Sequence, residues 1–496
     1  MGRTGPAGGA EAEGQGTAGG SGTEYTGSGG SGLPAVRDLR LVLPTSAVFI
    51  VTAVTVGLRP GSALAVAVVL TGGAVAAAVW SLGAGVRPGP DRPALWVLAV
   101  VCAVGAVAAG VQAGRSYALA AHPLVAAVGE RTGVEAVVTG FDRPVRTGGV
   151  MVPVRVEVTG SGPAAREADL DVVLLARDGW RGLAPGTRVL ASVAVLEPRS
   201  PGESPALRAL TPPRVTGRAG PAGSFPASVR ERLRVVSARA LEGESVGLLP
   251  SFVLGDEGGV SAETRDDFRS SGLAHLAAVS GANTTYVVGT VLLVAAGVGI
   301  GRRGRIVAAG VALAAFVAVV GPEPSVLRAA GTGAIGLAAL AAHRTGRPLA
   351  SLAAIVLLVA MLDPATATGA GFVLSVTATA ALVLAARPVA EAIRRAWMPG
   401  RVADVLAVCV VAHVATLPVL VFSGLEAGPW ALPANIAAAP VVPIVTVLGT
   451  AAAALGPVWE DGAVLLSAAC APALWWLDTV AEVAASLPGS PRYDRA

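Results

Sequence analysis

Apolar and polar positions alternate along this chain in blocks rather than residue by residue. Residues 1–36 are rich in Gly, Ser and Thr with almost no apolar content. Such a segment cannot bury enough surface to fold and is expected to be disordered. Three apolar runs follow, near 41–58, 62–85 and 94–114, each close to the length needed to cross a bilayer. From about residue 123 to 217 the pattern changes. VEAVVTGFDRPVR, VPVRVEVTG, DLDVVLLARD and TRVLASVAVLEP are short Val-rich runs with partial alternation, separated by Gly and Pro. They predict a small antiparallel β domain, closed as a barrel.

The stretch SVRERLRVVSARAL, residues 228–241, places arginines among spaced apolar residues and predicts an amphipathic helix. It fits a helix lying on the membrane surface and equally a connector packed on the β domain. Beyond residue 245, further runs can be drawn near 284–300, 306–320, 326–342, 348–362, 367–386, 402–424, 431–455 and 463–487. The arginine clusters GRRGR (301–305), HRTGR (343–347) and RPVAEAIRRAWMPGR (387–401) separate alternate pairs of them. The positive-inside rule puts all three clusters in the cytoplasm, with the N-terminus, and leaves the β domain and the C-terminus outside.

Composition agrees with this reading. The chain has 496 residues, 53% hydrophobic and 14% charged, against about a quarter charged in soluble proteins. The expected architecture is a polytopic α-helical membrane protein of about eleven transmembrane helices with an inserted external β barrel. Its parts are a tail (1–36), N-terminal membrane helices (37–122), the β domain (123–217), a linker helix (218–244), a second membrane domain (245–487) and a C-terminal tail (488–496). The net charge of +4 carries no argument for nucleic acid. Cys102, Cys409 and Cys470 stand singly in apolar runs, and the four histidines are scattered. No metal site, cofactor or catalytic motif is expected.

Four polar features interrupt the second membrane domain. The first is LGDEGGVSAETRDDFRSSGLAHLAAVSGANTTY, residues 254–286, with Gly255, Asp256, Phe268, Gly272, His275, Ser280, Gly281 and Asn283. It reads either as broken helices lining a cavity or as an external loop capped by Ser280 or Asn283. The second is Arg328, about three residues into an apolar run, which either snorkels to the interface or faces an aqueous path. The third starts at Asp363-Pro364 and includes Ser375; its small residues suit close helix packing. The fourth, residues 413–445, holds Asn435 and the prolines 418, 433, 440 and 443. These imply broken helices or kinked packing.

Taken in order, these features resemble the ComEC family of competence membrane proteins. The resemblance rests on Leu254-Gly255-Asp256, Phe268, Gly272-Leu273, His275-Leu276 and Val279-Ser280-Gly281. PSVLRA (324–329), GR…DP…GF-LS (346–375) and ATLP…AN…P (415–440) follow in the same sequence. The family implies an inner-membrane channel, without catalysis in this chain, that moves single-stranded DNA into the cell during natural transformation. It implies an OB-fold for the β domain and transient contact with the strand. Expected partners are the lipid bilayer, a DNA receptor, a cytoplasmic helicase, a separate nuclease and further copies of the chain.

Two departures qualify the resemblance. Asn283 stands where family members commonly carry histidine, which removes proton and metal chemistry from that place. The metallo-β-lactamase-like domain of many members is not expected after residue 487. The β domain itself holds 12 Arg against 10 Asp plus Glu over residues 123–218, a balance of +2, with Phe141 and Trp180 its aromatics. OB folds that grip single strands use a basic groove and stacking aromatics, so weak contact or a structural role is expected instead. The alternative reading is a transporter or envelope scaffold of the same fold that does not move DNA, or a half that works with a separate hydrolase.

Overall fold

The computed structural model describes residues 45–46, 49–51, 53–54, 60–82, 92–145, 148–160, 165–198, 203–277, 281–321, 324–342, 348–394, 398–424 and 428–491. The tail of residues 1–36 and most of the first apolar run lie outside them. Two long helices come first, α1 (Pro60–Leu82) and α2 (Arg92–Ala120), packed on each other. A short helix, α3 (Pro123–Ala126), leads into the β domain.

The β domain has strands β1 (Arg131–Val138), β2 (Arg143–Pro144), β3 (Val150–Thr159), β4 (Arg166–Ala176), β5 (Arg188–Val195), β6 (Leu207–Ala209) and β7 (Arg214–Gly217). Strand β1 pairs with both β3 and β5, and β4 and β6 complete the ring, so five strands close a barrel. The valine alternation causes this. Val150, Val152, Val154 and Val156 of β3 point inward against Val189, Val193 and Val195 of β5. The expected all-antiparallel pairing is corrected at one edge, where Leu174 of β4 meets Leu207 of β6 in a parallel pair. Strand β6 is antiparallel to β5, and a closed ring of five strands cannot alternate direction throughout, so one neighbouring pair has to be parallel.

The helical region continues with α4 (Pro221–Ala240), α5 (Ser245–Leu254), α6 (Ala262–Ser270), α7 (Ala274–Ala277), α8 (Gly281–Gly297), α9 (Arg302–Val320), α10 (Pro324–Ala341) and α11 (Pro348–Leu362). It ends with α12 (Pro364–Thr368), α13 (Ala370–Arg394), α14 (Gly400–Phe422), α15 (Ala431–Ala438), α16 (Val442–Leu455), α17 (Glu460–Ala469) and α18 (Ala471–Ser486). Among the described residues α9, α13 and α14 are long and apolar enough to cross a membrane, and the bent pairs α15–α16 and α17–α18 raise the number to five. Five more apolar helices are shorter, α8 and α11 among them. The expected eleven crossings are therefore not reproduced by length and composition. The first bend, 54°, falls at residues 439–441, where Pro440 and Pro443 remove backbone donors. Pro418, by contrast, sits inside an unbroken α14.

Helix α4 is a packed connector. Val229, Leu233 and Val236 are buried in one core with Leu248, Leu249 and Phe252 of α5. Arg230 lies on that apolar face, three residues before Leu233, and is only 6% exposed. Its Nε donates to Val319 O at 3.1 Å, and its Nη2 donates to Leu254 O at 2.8 Å and Val320 O at 2.6 Å. These carbonyls end α5 and α9, where no intrahelical donor remains and the helix dipoles are negative. The same guanidinium stacks 3.6 Å above the Phe141 ring of the barrel. Burial pulls its pKa down to about 10, with neighbouring Asp256 opposing the shift.

At the entry to the β domain, His122 precedes α3. Its Nδ1 accepts from the Leu124 amide at 3.2 Å and caps α3. Burial lowers the imidazole pKa, with Asp169 opposing. A lowered folded-state pKa means that the neutral ring is the folded form. Its contribution is complete above the ordinary value of 6.5 and is lost as pH falls through the lowered one.

Two outcomes follow. Arg230→Leu leaves two helix ends without donors and is expected to cost about 3 kcal/mol or more, read as a lower thermal midpoint of the purified protein in detergent. Between neutral pH and about pH 5 the wild-type midpoint falls further than that of His122→Asn, whose amide oxygen accepts at every pH. Equal pH dependence in the two proteins would exclude the His122 cap as its source.

Candidate functional site

The polar stretch 254–286 folds as short helices that break at glycine. Gly255 ends α5 at φ 67° and Gly272 ends the turn after α6 at φ 74°, a region that side chains with a Cβ avoid. Between them Ser261 caps α6 by accepting from the Thr264 amide at 3.1 Å. Asp256, 4% exposed, caps the single 3₁₀ turn Glu257–Gly259. It also takes a bidentate pair from Arg234 of α4, Nε to Oδ2 at 2.6 Å and Nη2 to Oδ1 at 2.8 Å. That hydrogen-bonded pair raises the Arg234 pKa, against the opposing effect of burial. Asp256 is thus a brace between the linker helix and the broken segment. Phe268 is buried, edge-on to Phe252 at 5.7 Å.

Asn283 does not cap a helix. Its Nδ2 donates to Phe252 O at 2.9 Å, and Thr446 Oγ1 of α16 donates to its Oδ1 at 3.4 Å. The side chain therefore joins α8 to the end of α5 and to the second half of the bent pair. Asn435, in the first half of that pair, donates to Gly272 O at 3.4 Å and to Ala431 O at 2.8 Å. Gly272 is pressed against this helix: a methyl group placed on it would lie 2.5 Å from Ala431 Cβ. His275 is exposed at the surface, its Nδ1 3.2 Å from the same Gly272 carbonyl. Ser280 lies outside the described residues.

A second cluster gathers around Arg328. This residue does not snorkel: it is 6% exposed, and its Nε donates to Ser375 Oγ of α13 at 2.7 Å. Its Nη2 lies against the first residue of α8, 2.4 Å from where a Cβ on Gly281 would sit. Three helices, α8, α10 and α13, thus meet at one guanidinium. Asp363 belongs to neither cluster. It caps α12, accepting from Thr366 Oγ1 at 2.6 Å, and faces Arg115 of α2 at 3.5 Å.

These positions share one end of the helical region. Phe141 and Arg230 touch the last turn of α9, whereas Arg302 at its first turn donates to Leu340 O at the far end of α10. The 19 residues of α9 span about 28 Å at 1.5 Å per residue. Gly281, Arg328, Asp363, Gly272 and Asn435 sit on elements that start or finish at the barrel-side end. The arginines of 301–305 lie at the other.

The barrel offers little for stacking. Trp180 is 2% exposed, and its Nε1 donates to Thr211 O at 3.2 Å. Phe141 is covered by Arg230. On the outside Arg155 pairs with Asp171 at 2.8 Å and Arg188 with Glu157 at 3.2 Å. The Asp171 hydrogen bond raises the Arg155 pKa. Among the described residues no group of three or more His, Cys, Asp or Glu is placed to hold a metal ion.

The sequence missed Arg230, Thr446 and the Phe252 carbonyl. Arg230 had a readable signal, an arginine at helical spacing on the apolar face of α4. The other two had none, because both partners of Asn283 lie far away in the chain.

A helical protein with several apolar helices of bilayer type, polar groups gathered at one end and a barrel docked there is the class these features define. Residues 252–493 match the family model described as "Competence protein". That region is just under half of the chain and supports a competence-type protein, a family with a role in DNA uptake. No curated protein and no solved structure matches the chain.

Gly272→Ala is expected to cost about 2 kcal/mol or more, from its left-handed backbone and the Ala431 contact. Gly289→Ala, where nothing lies within 4 Å, is expected to be neutral or stabilising by up to about 1 kcal/mol. Thermal unfolding of the two variants in detergent decides between them.

Proposed function

We propose that this chain is the membrane conduit of a DNA-uptake apparatus, carrying single-stranded DNA across the cell membrane without performing chemistry on it. The observation that carries the reading is the competence-family match over residues 252–493. It covers the broken segment, Arg328 and both bent helix pairs. Polar groups at membrane depth are costly and usually face an interior path. A moving polyanion needs many weak contacts rather than one strong site.

In this reading the five-stranded closure supports an OB-like barrel that acts as a collar. Its aromatics are committed to the core and to Arg230, so it would orient the helical domain rather than grip the strand. The barrel sits at the end of α9 away from Arg302, Arg303 and Arg305. With the positive-inside rule this supports an external barrel and cytoplasmic arginines. A DNA receptor outside, a helicase inside and a separate nuclease would supply capture, pulling and strand removal. A second reading, a membrane scaffold of the same fold that does not move DNA, is favoured by the paired charges on the barrel surface.

Deletion of the gene separates the two. The conduit requires transformation by linear DNA to fall to background and to return on complementation. Transformation at the parental frequency without the gene selects the scaffold.

A further inference from the structure

Both bent helix pairs begin and end on the barrel side. Arg230 meets the last turn of α9, and Arg232 follows two residues later on α4. A Cβ on Gly456, just past α16, would lie 3.7 Å from Arg232 Cβ. Glu460, the first residue of α17, pairs with Arg232 at 3.7 Å and also with Arg239. These two arginine side chains are 55% and 57% exposed. Half-exposed charges belong at water, so the start of α17 is not in hydrocarbon.

The remaining ends lie together. Trp430, just before α15, donates from Nε1 to Pro488 O, past the end of α18, at 2.9 Å. Beside them a Cβ on Gly428 would lie 3.3 Å from the carbonyl of Ser270, the last residue of α6. Helix α6 starts close to Glu257 and Val260, whose carbonyls take Arg265 Nη2, and next to Asp256 with its tie to Arg234. Its nine residues cover about 14 Å, half the length of α9, so its end stays in the barrel-side half.

Helices α17 and α18 have 10 and 16 residues and extend about 39 Å together. They turn by 42° where they meet. A pair of this length with both ends in one half cannot cross and return through so shallow a bend. It lies across the helical region instead. One face, with Ala463, Leu474, Leu477 and Ala481, is buried in the core shared with α4 and α5. The other is apolar and open: Val458 is 88%, Leu465 70% and Trp475 63% exposed, with Trp459 and Trp476 beside them. Tryptophan settles at the boundary of headgroups and acyl chains, where its ring is apolar and its N–H polar.

We propose that α17–α18 is an interfacial anchor. It lies along the barrel-side surface of the bilayer and sets the stripe from Val458 to Trp476 into the boundary of headgroups and acyl chains, without crossing. Lipid is the occupant of the stripe. Glu460 and Asp461 at one end and the exposed Glu482 at the other remain at water. The pair α15–α16 joins the same two places and does not cross either. Residues 456–460 therefore share a side with the barrel, where two successive spans would put them on the opposite one. Nothing in this placement depends on DNA passing through the protein.

The test uses the full chain with Cys102, Cys409 and Cys470 replaced by alanine and single cysteines introduced at exposed positions. Spheroplasts are treated with a membrane-impermeant maleimide before and after lysis. Asp461→Cys is expected to label as Ser192→Cys of the barrel does, and unlike Arg303→Cys at the start of α9. Labelling that follows Arg303→Cys, or that needs detergent, would overturn the proposal. For lipid contact, Leu465→Cys and Trp475→Cys carry the fluorophore NBD in nanodiscs of phosphatidylcholine, spin-labelled either near the headgroup or near the chain end. Quenching from the headgroup-proximal label is expected to be at least about twofold stronger at both positions, as a helix held in the interface requires. Stronger quenching of Leu465→Cys from the chain end would make the pair a span and sink the anchor. Absence of quenching at both positions excludes lipid as the occupant, and a disulfide-linked dimer of Leu465→Cys would then assign the stripe to a second copy of the chain.

Discussion

The fold depends on finding donors for helix ends that are buried. Helix α5 is enclosed from Gly247 to Leu254, so its last carbonyls cannot turn to water. The chain supplies them with side chains from elsewhere: Asn283 reaches Phe252 O and Arg230 reaches Leu254 O. The same arginine serves Val319 O and Val320 O of α9. Satisfying those groups fixes where α4, α8 and α9 stand, and the Phe141 contact fixes the barrel on top of them. Backbone hydrogen bonding in a dry interior is obligatory, and here it sets the arrangement of domains as well as of helices.

Much of the architecture was legible in the sequence because it follows from period. Val150 to Val156 alternate and form a buried strand face; the apolar run at 306–320 falls within α9, and all but the last two residues of 402–424 fall within α14. Direction was less legible. The return of β6 beside β4 depends on a loop, and its parallel pairing has no local signature. The number of membrane crossings is not settled by length and composition: among the described residues three helices pass as spans, up to five with the bent pairs, and helices such as α8 and α11 are apolar but shorter.

The candidate residues divide by the range of their partners. Gly255 and Gly272 were readable as breaks, since a left-handed turn is a local property. Asp256 and Asn283 were readable as polar groups out of place, but their work, bracing Arg234 and joining α5 to α16, depends on residues far along the chain. His275 and Arg328 stood beside each other in the sequence argument and separate in space. One is exposed, and the other is enclosed among three helices. Asp363 turned out to be a cap with its own ion pair to Arg115, away from both clusters.

The two asparagines have a mechanical consequence. Asn435 attaches the first arm of the bent α15–α16 pair to Gly272, and Thr446 attaches the second arm to Asn283. The elbow at residues 439–441 thus lies between two ties, one on each arm. Swinging either arm away costs a hydrogen bond in a buried or part-buried place, so the bend is held by its arms and not by its hinge residues alone.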